Sequence, residues 1–285
     1  MDLVLREAVL ADAPECGRVL FEAFRSLADY HNFPRDFPSA EVGGGVAGML
    51  IGHPGFYGVV AQRDGKIIGS NFLDERAVIR GIGPISVDPD TQNSGVGKRL
   101  MQDVLDRAGS QNAPGVRLLQ AAYHNRSLCL YTNLGFRTRD LISVLQGPPI
   151  GVSFPGYTVR PAQLEDLAAC ESLCREVHGF DRSAELRDGI EQKTAVIVEH
   201  LGAISGYATM LGFFGHSVGR SNRDLMALIA NAPEFVGPGF LLPTGNHEVF
   251  AWCLAKGLRL VMQMTLMTIG LYNEPVGVWM PSVLY

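Results

Sequence analysis

With 285 residues, of which 47% are apolar and 19% charged, the chain can bury a sizeable core. A net charge of −5 argues against a nucleic-acid-binding face, and five cysteines spread thinly over this length make no disulfide framework and read as reduced thiols. The longest strongly apolar tract, 258–272, carries Arg259 and falls short of the ~20 residues that a membrane span needs. The N-terminal residues show no secretory-signal pattern, so cytoplasmic residence is the expectation.

In chain order, residues 3–6 read as a strand, and a helix begins at Asp12 and runs to about residue 27, with Leu20 and Phe24 along one face. An aromatic-rich loop follows, Tyr30-His31-Asn32-Phe33-Pro34-Arg35-Asp36-Phe37-Pro38. Residues 39–52 are poorly determined, because Gly43-Gly44-Gly45 weakens an otherwise helical stretch. Two apolar stretches, 56–62 and 66–73, flank Arg63-Asp64-Gly65, a strong hairpin signal. Residues 77–87 are expected as one strand, 95–109 as a helix and 116–122 as a strand. Asn125 is the expected N-cap of a short helix that ends at Gly135, and 136–145 is the expected closing strand.

Beyond a Gly/Pro cluster at 146–151, the chain repeats itself. Arg6, Asp12 and Cys16 are echoed by Arg160, Asp166 and Cys170, and Leu118-Leu119, Asn125, Tyr131 and Gly135 by Leu241-Leu242, Asn246, Trp252 and Gly257. The expected halves are 1–147 and 148–285. A strand is expected at 207–214. Cys170, Cys174 and His178 recur at helical spacing, but no second Cys/His pair completes a metal site, so no metal is expected.

The most informative stretch runs Ile85-Ser86-Val87-Asp88-Pro89-Asp90-Thr91-Gln92-Asn93-Ser94-Gly95-Val96-Gly97-Lys98: an apolar strand, a turn, then a glycine-spaced loop opening into a helix. Glycines let the backbone approach an anion closely, and the first helical turn supplies free N–H groups and a positive dipole end. The spacing is neither that of a Walker loop nor that of a dinucleotide fingerprint.

Gln92, Gly95 and Gly97 match the Gln-x-x-Gly-x-Gly segment of the GNAT superfamily of acyl-CoA-dependent N-acetyltransferases, and the Asn125-x5-Tyr131-x3-Gly135-Phe136 pattern resembles a second segment of that family. The resemblance implies an α/β (α+β) architecture of two tandem GNAT-like domains, each with a mixed, mostly antiparallel twisted sheet flanked by helices. It implies acetyl-CoA bound by Ile85, Ser86, Val87, Gln92, Asn93, Ser94, Gly95, Val96, Gly97, Lys98 and Asn125, with Tyr131 protonating the departing sulfur. The acceptor is expected to be a primary amine of a small molecule or peptide. Glu75 is the preferred general base, with Asp74 and the terminal carboxylate of Tyr285 as alternatives.

The second half departs from the pattern at Gly219-Arg220-Ser221-Asn222-Arg223-Asp224, and Trp252 stands where the tyrosine would be. It is expected to bind no cofactor and to cover a sheet edge, form a dimer face or wall the acceptor pocket. The aromatic loop is expected either to shape that pocket or to close the core. A non-catalytic acyl-CoA sensor or interaction module is the alternative function.

Overall fold

A computed structural model describes residues 3–284. Its first half comprises β1 (Val4–Glu7), α1 (Ala13–His31), α2 (Ala40–Gly52), β2 (Phe56–Arg63), β3 (Lys66–Asp74), β4 (Ile79–Ile82), β5 (Ser86–Val87), α3 (Val96–Ser110), β6 (Gly115–Ala121), α4 (Asn125–Asn133) and β7 (Arg137–Gln146). The second comprises β8 (Tyr157–Pro161), α5 (Leu167–His178), α6 (Ser183–Glu191), β9 (Val196–His200), β10 (Ala203–Ala208), β11 (Ser217–Gly219), α7 (Asn222–Asn231), β12 (Phe240–Pro243), α8 (His247–Ala255), β13 (Arg259–Gly270) and β14 (Val278–Met280).

The hairpin forms as expected. Asp64 and Gly65 both take positive φ, the conformation of a two-residue turn that matches strand twist. The glycine run at 43–45 does not break α2, and the reason lies in packing. A Cβ on Gly17 of α1 would sit 2.2 Å from the Gly44 nitrogen, and one on Gly43 would sit 2.8 Å from the Gly17 oxygen. The two helices cross backbone to backbone, a contact that outweighs the propensity cost of glycine.

Two other expectations are corrected. Residues 77–87 are not one strand but β4 and β5, interrupted at Gly83-Pro84, where Gly83 has φ +139° and proline offers no donor to a ladder. The strand expected at 207–214 ends at Ala208. From there the chain turns through Gly215, whose missing Cβ leaves room for the Met210 carbonyl.

A nine-stranded sheet has the main order β1-β2-β3-β4-β6-β13-β7-β12, with β5 paired to β3, and a five-stranded sheet runs β14-β11-β10-β9-β8. All pairings between the strands are antiparallel except β4 with β6. The halves have exchanged their last long strands. β13, from the second half, lies between β6 and β7 and pairs with both, while β7 pairs with β12. The expected closure of the first half by its own strand 136–145 is thus replaced by closure on β13.

Side chains of β13 alternate between two cores. Leu266 joins a cluster that unites Ile142 and Val144 with Leu173, Tyr207 and Trp279, whereas Met267 joins the first-half core with Leu100, Leu118 and Phe136. The apolar tract that fell short of a membrane span is therefore the strand that joins the halves. Among the described residues, no helix is long and apolar enough to cross a membrane.

Candidate active site

The glycine-spaced loop folds as a helix start without a cap. Gly95 is the N-cap of α3 at φ +85°, no side chain caps the first turn, and Arg99 is the residue whose N–H reaches back to the Gly95 oxygen. The amides of Val96, Gly97 and Lys98 precede that bond and are left for an external acceptor. Gly95 is needed for its positive φ, since a Cβ there would meet nothing within 4 Å. On its other side α3 is anchored by buried Val96, Leu100, Met101 and Val104.

Next to this helix start the sheet is split. β4 is paired on both sides, to β3 and to β6, but β5 pairs with β3 and, among the described residues, has no strand partner on its other edge. Asp88 N–H bonds the Ile68 oxygen at 2.9 Å, so by antiparallel alternation the N–H and C=O of Val87 face away from β3, into the wedge. The Gln92 amide confirms that direction by donating to the Val87 oxygen at 3.2 Å, while its own oxygen accepts from Arg126 at 3.3 Å. Gln92 thus ties the loop to β5 and to the start of α4.

A cavity of about 1240 Å³ opens from this wedge, large enough for a cofactor arm and a second substrate. Ile85, Ser86, Val87, Gln92, Asn93, Gly95, Val96, Gly97 and Lys98 line it, together with Tyr131. The Tyr131 ring is edge-on to Phe136, and burial pushes its phenol above the usual range. These residue types suit an acyl-CoA: bare amides for the diphosphate, an open strand edge for the pantetheine arm and carbonyl, and a phenol near the far end.

Several expected residues stand elsewhere. Ser94 donates back to the Thr91 oxygen and is not on the wall. Asn125 is exposed and is the first helical residue, with His124 in the cap position; His124, Arg126 and Ser127 reach the cavity in its stead. His124, Ser127 and Tyr131 follow a spacing of i, i+3, i+7 on one helical face, and Asn125 lies off it.

Glu75 does not line the cavity and is held by Arg107 at 2.9 and 3.1 Å and by Gln111 at 2.9 Å. Burial alone would raise its carboxyl, but these partners hold it below the usual range, which makes it a weaker base. Asp74 is buried in a two-point pair with Arg76, at 2.9 and 2.6 Å, and Arg76 continues to Asp188 of α6 at 2.7 Å. Tyr285 lies outside the described residues.

An acid that the sequence reading did not single out as a base faces the cavity. Asp36, in the aromatic loop, lines the wall with Oδ1 buried and without a hydrogen-bond partner, and burial pushes its carboxyl up to about 6. The loop is positioned by Phe33 stacked on Tyr123 at 4.1 Å and by Phe37 edge-on to Phe24 at 5.4 Å. The rings therefore both pack and wall the cavity. The only signal in the sequence was an acid between aromatics.

The second half supplies the opposite wall, through Glu185, Asp188, Met210, Phe213, Met262 and Met264 among others. Its own counterpart of the phosphate seat is filled from within. Ser221 stands at the N-cap position of α7, and Asp224 accepts from the Ser221 N–H at 2.8 Å and from the Ser221 and Ser205 hydroxyls. A carboxylate there repels the anion that the uncapped α3 would attract. Cys170, Cys174 and His178 are buried in the core, and among the described residues no group of three His, Cys, Asp or Glu could hold a metal ion.

Residues 54–138 match the model of the Acetyltransferase (GNAT) domain. A curated relative, UPF0157 protein YqkA of Bacillus subtilis (strain 168), is 25% identical over 164 residues, 56% of this chain and 44% of that protein, so the match spans under half of the relative's length. A structure assigned as an acetyltransferase from Pyrococcus horikoshii superposes over 97% of this chain and 92% of its own at TM-score 0.74 and 16% identity. The GCN5-related N-acetyltransferase of Sphaerobacter thermophilus does so over 97% and 98% at TM-score 0.66 and 18% identity. A tandem GNAT protein from the clavulanic acid biosynthesis pathway covers 94% of this chain, and is itself covered over 98%, at TM-score 0.59 and 13% identity. Residues 54–138 thus match a GNAT acetyltransferase domain, and the fold over both halves is similar to that of a tandem GNAT protein.

Proposed function

We propose that the protein is an N-acetyltransferase that moves an acetyl group from acetyl-CoA to a primary amine by direct attack, with one cofactor seat, in the first half. The observation that carries this reading is the single cavity that runs from the uncapped start of α3, along the open edge of β5, to Tyr131. Acetyl-CoA, when bound, supplies an activated thioester and a thiolate leaving group.

The chain's residues meet the demands of that chemistry in turn. The amides of Val96, Gly97 and Lys98 hold the diphosphate, and Lys98 and Arg126 on the wall add charge of the right sign. The Val87 N–H, facing the wedge, is placed to donate to an oxygen on which negative charge builds during attack. Tyr131 protonates the sulfur: burial keeps its phenol protonated at neutral pH but makes it a weaker acid, so the proton moves in concert with departure of the sulfur rather than to a free thiolate.

Tyr131→Phe keeps the ring and removes the proton. Turnover, read as free-thiol release with an amine panel, should drop by about 100- to 10,000-fold, the usual scale of general-acid contributions, while acetyl-CoA affinity by calorimetry stays within about twofold. Unchanged turnover would take Tyr131 out of the chemistry. A protein that binds acetyl-CoA and releases no thiol with any amine would instead be a sensor.

A further inference from the structure

The acceptor end of the cavity has a composition of its own. Leu27 and Phe37 from the first half and Met210, Phe213, Met262 and Met264 from the second make an apolar wall. Acidic groups also face it, but Asp188 is already paired with Arg76 at 2.7 Å and with His53 at 3.4 Å, and Glu185 with Arg182 and His216 at 2.7 and 2.9 Å. Asp36 differs from both. It has a buried oxygen with no partner, and Tyr123, which feels its charge, brings no cation: burial first, and Asp36 after it, push that phenol up to about 12.

We propose that the acceptor is a small monoamine with an apolar body, aryl or alkyl, whose ammonium group is received by the Asp36 carboxylate. The inference rests on the transferase reading and names its second substrate. A half-buried carboxylate with one oxygen buried and unpartnered is costly, and a cation that carries its own apolar surface relieves that cost while filling the wall around it. A polyamine would force a second charge against methionines and phenylalanines, and a peptide would bury amide groups that the wall cannot satisfy.

Asp36 has two consecutive tasks. As carboxylate it pairs with the ammonium; it then takes one N–H proton onto Oδ, the N–H bonding electrons remain on nitrogen as the attacking lone pair, and the protonated Asp36 releases that proton to solvent.

The test is direct binding, by calorimetry, of 2-phenylethylamine and of spermidine to the full chain, with and without CoA, for the wild type and Asp36→Asn. Phenylethylamine should bind the wild type at least tenfold more tightly than spermidine, and Asp36→Asn should weaken it at least tenfold while leaving CoA affinity unchanged. An isosteric Asn keeps the loop's shape, and an unaltered thermal melt at pH 4, where Asp36 is neutral, checks folding. Equal or tighter spermidine binding, undetectable binding of phenylethylamine in both states, or indifference of the variant would overturn the proposal. Failure of CoA to bind would sink the transferase reading separately, since the amine titration without CoA is read on its own.

Discussion

Asp36 shows how one side chain can be set against the fold that holds it. Its carboxyl is raised from the ordinary 3.8 to about 6, so the folded state binds its proton more tightly than the unfolded state does. The sign follows: below about pH 4 the group is neutral in both states and costs nothing, and stability is lost as pH rises through 6. Asp36→Asn should therefore melt together with the wild type at pH 4 and above it at pH 7, with a stability gain of up to about 3 kcal/mol for a carboxyl raised from 3.8 to about 6. A melt difference that stays flat between those pH values would mean that the carboxylate finds a partner.

Other residues were legible before any coordinates. The echo of Arg6 and Asp12 in Arg160 and Asp166 is one construction made twice: in each half the guanidinium holds the carboxylate at two points, 2.7 and 2.8 Å in the first and 2.8 Å twice in the second. In each, the same carboxylate takes a backbone N–H, of Val9 or Gln163, at 2.8 Å.

At the scale of elements, the crossing of α1 and α2 decides how the acceptor wall is placed, since Leu27 stands on the first and Met49 on the second. Gly17→Ala puts a methyl inside the Gly44 backbone. It should cost about 1–3 kcal/mol, the range for overpacking, with a lower urea midpoint at unchanged slope. An unaffected midpoint would show that the helices can part freely. Glycines 43–45 read locally as a weakness because helix propensity counts one chain alone, whereas close approach of two backbones belongs to the pair. In the same way the break at Gly83-Pro84 looked like a pause in a strand. Its consequence, an open β5 edge, becomes visible only beside β6.

For the whole molecule, the strand exchange makes the halves interdependent. Residues 1–147 alone would leave the β6 edge unpaired along the length where β13 lies, from Gly115 to Ala121, and would expose Leu118 and Val144. Expressed alone, that fragment should aggregate or fail to bind acetyl-CoA. Co-expression with residues 148–285 should restore a soluble pair that binds it. A soluble 1–147 fragment with intact acetyl-CoA affinity would refute the dependence.

The sequence by itself determined what neighbours along the chain determine: the helix start at Gly95, the Asp64-Gly65 turn, the repeat of the two halves and the GNAT resemblance, because φ preferences, caps and short-range periodicity act within a few residues. Only the tertiary structure decided which strand closes which half, that Glu75 is spent on Arg107, and that Asp36 faces the cavity unpaired. Each of these depends on a partner tens to hundreds of residues away, and burial and charge pairing exist only once the chain has brought them together.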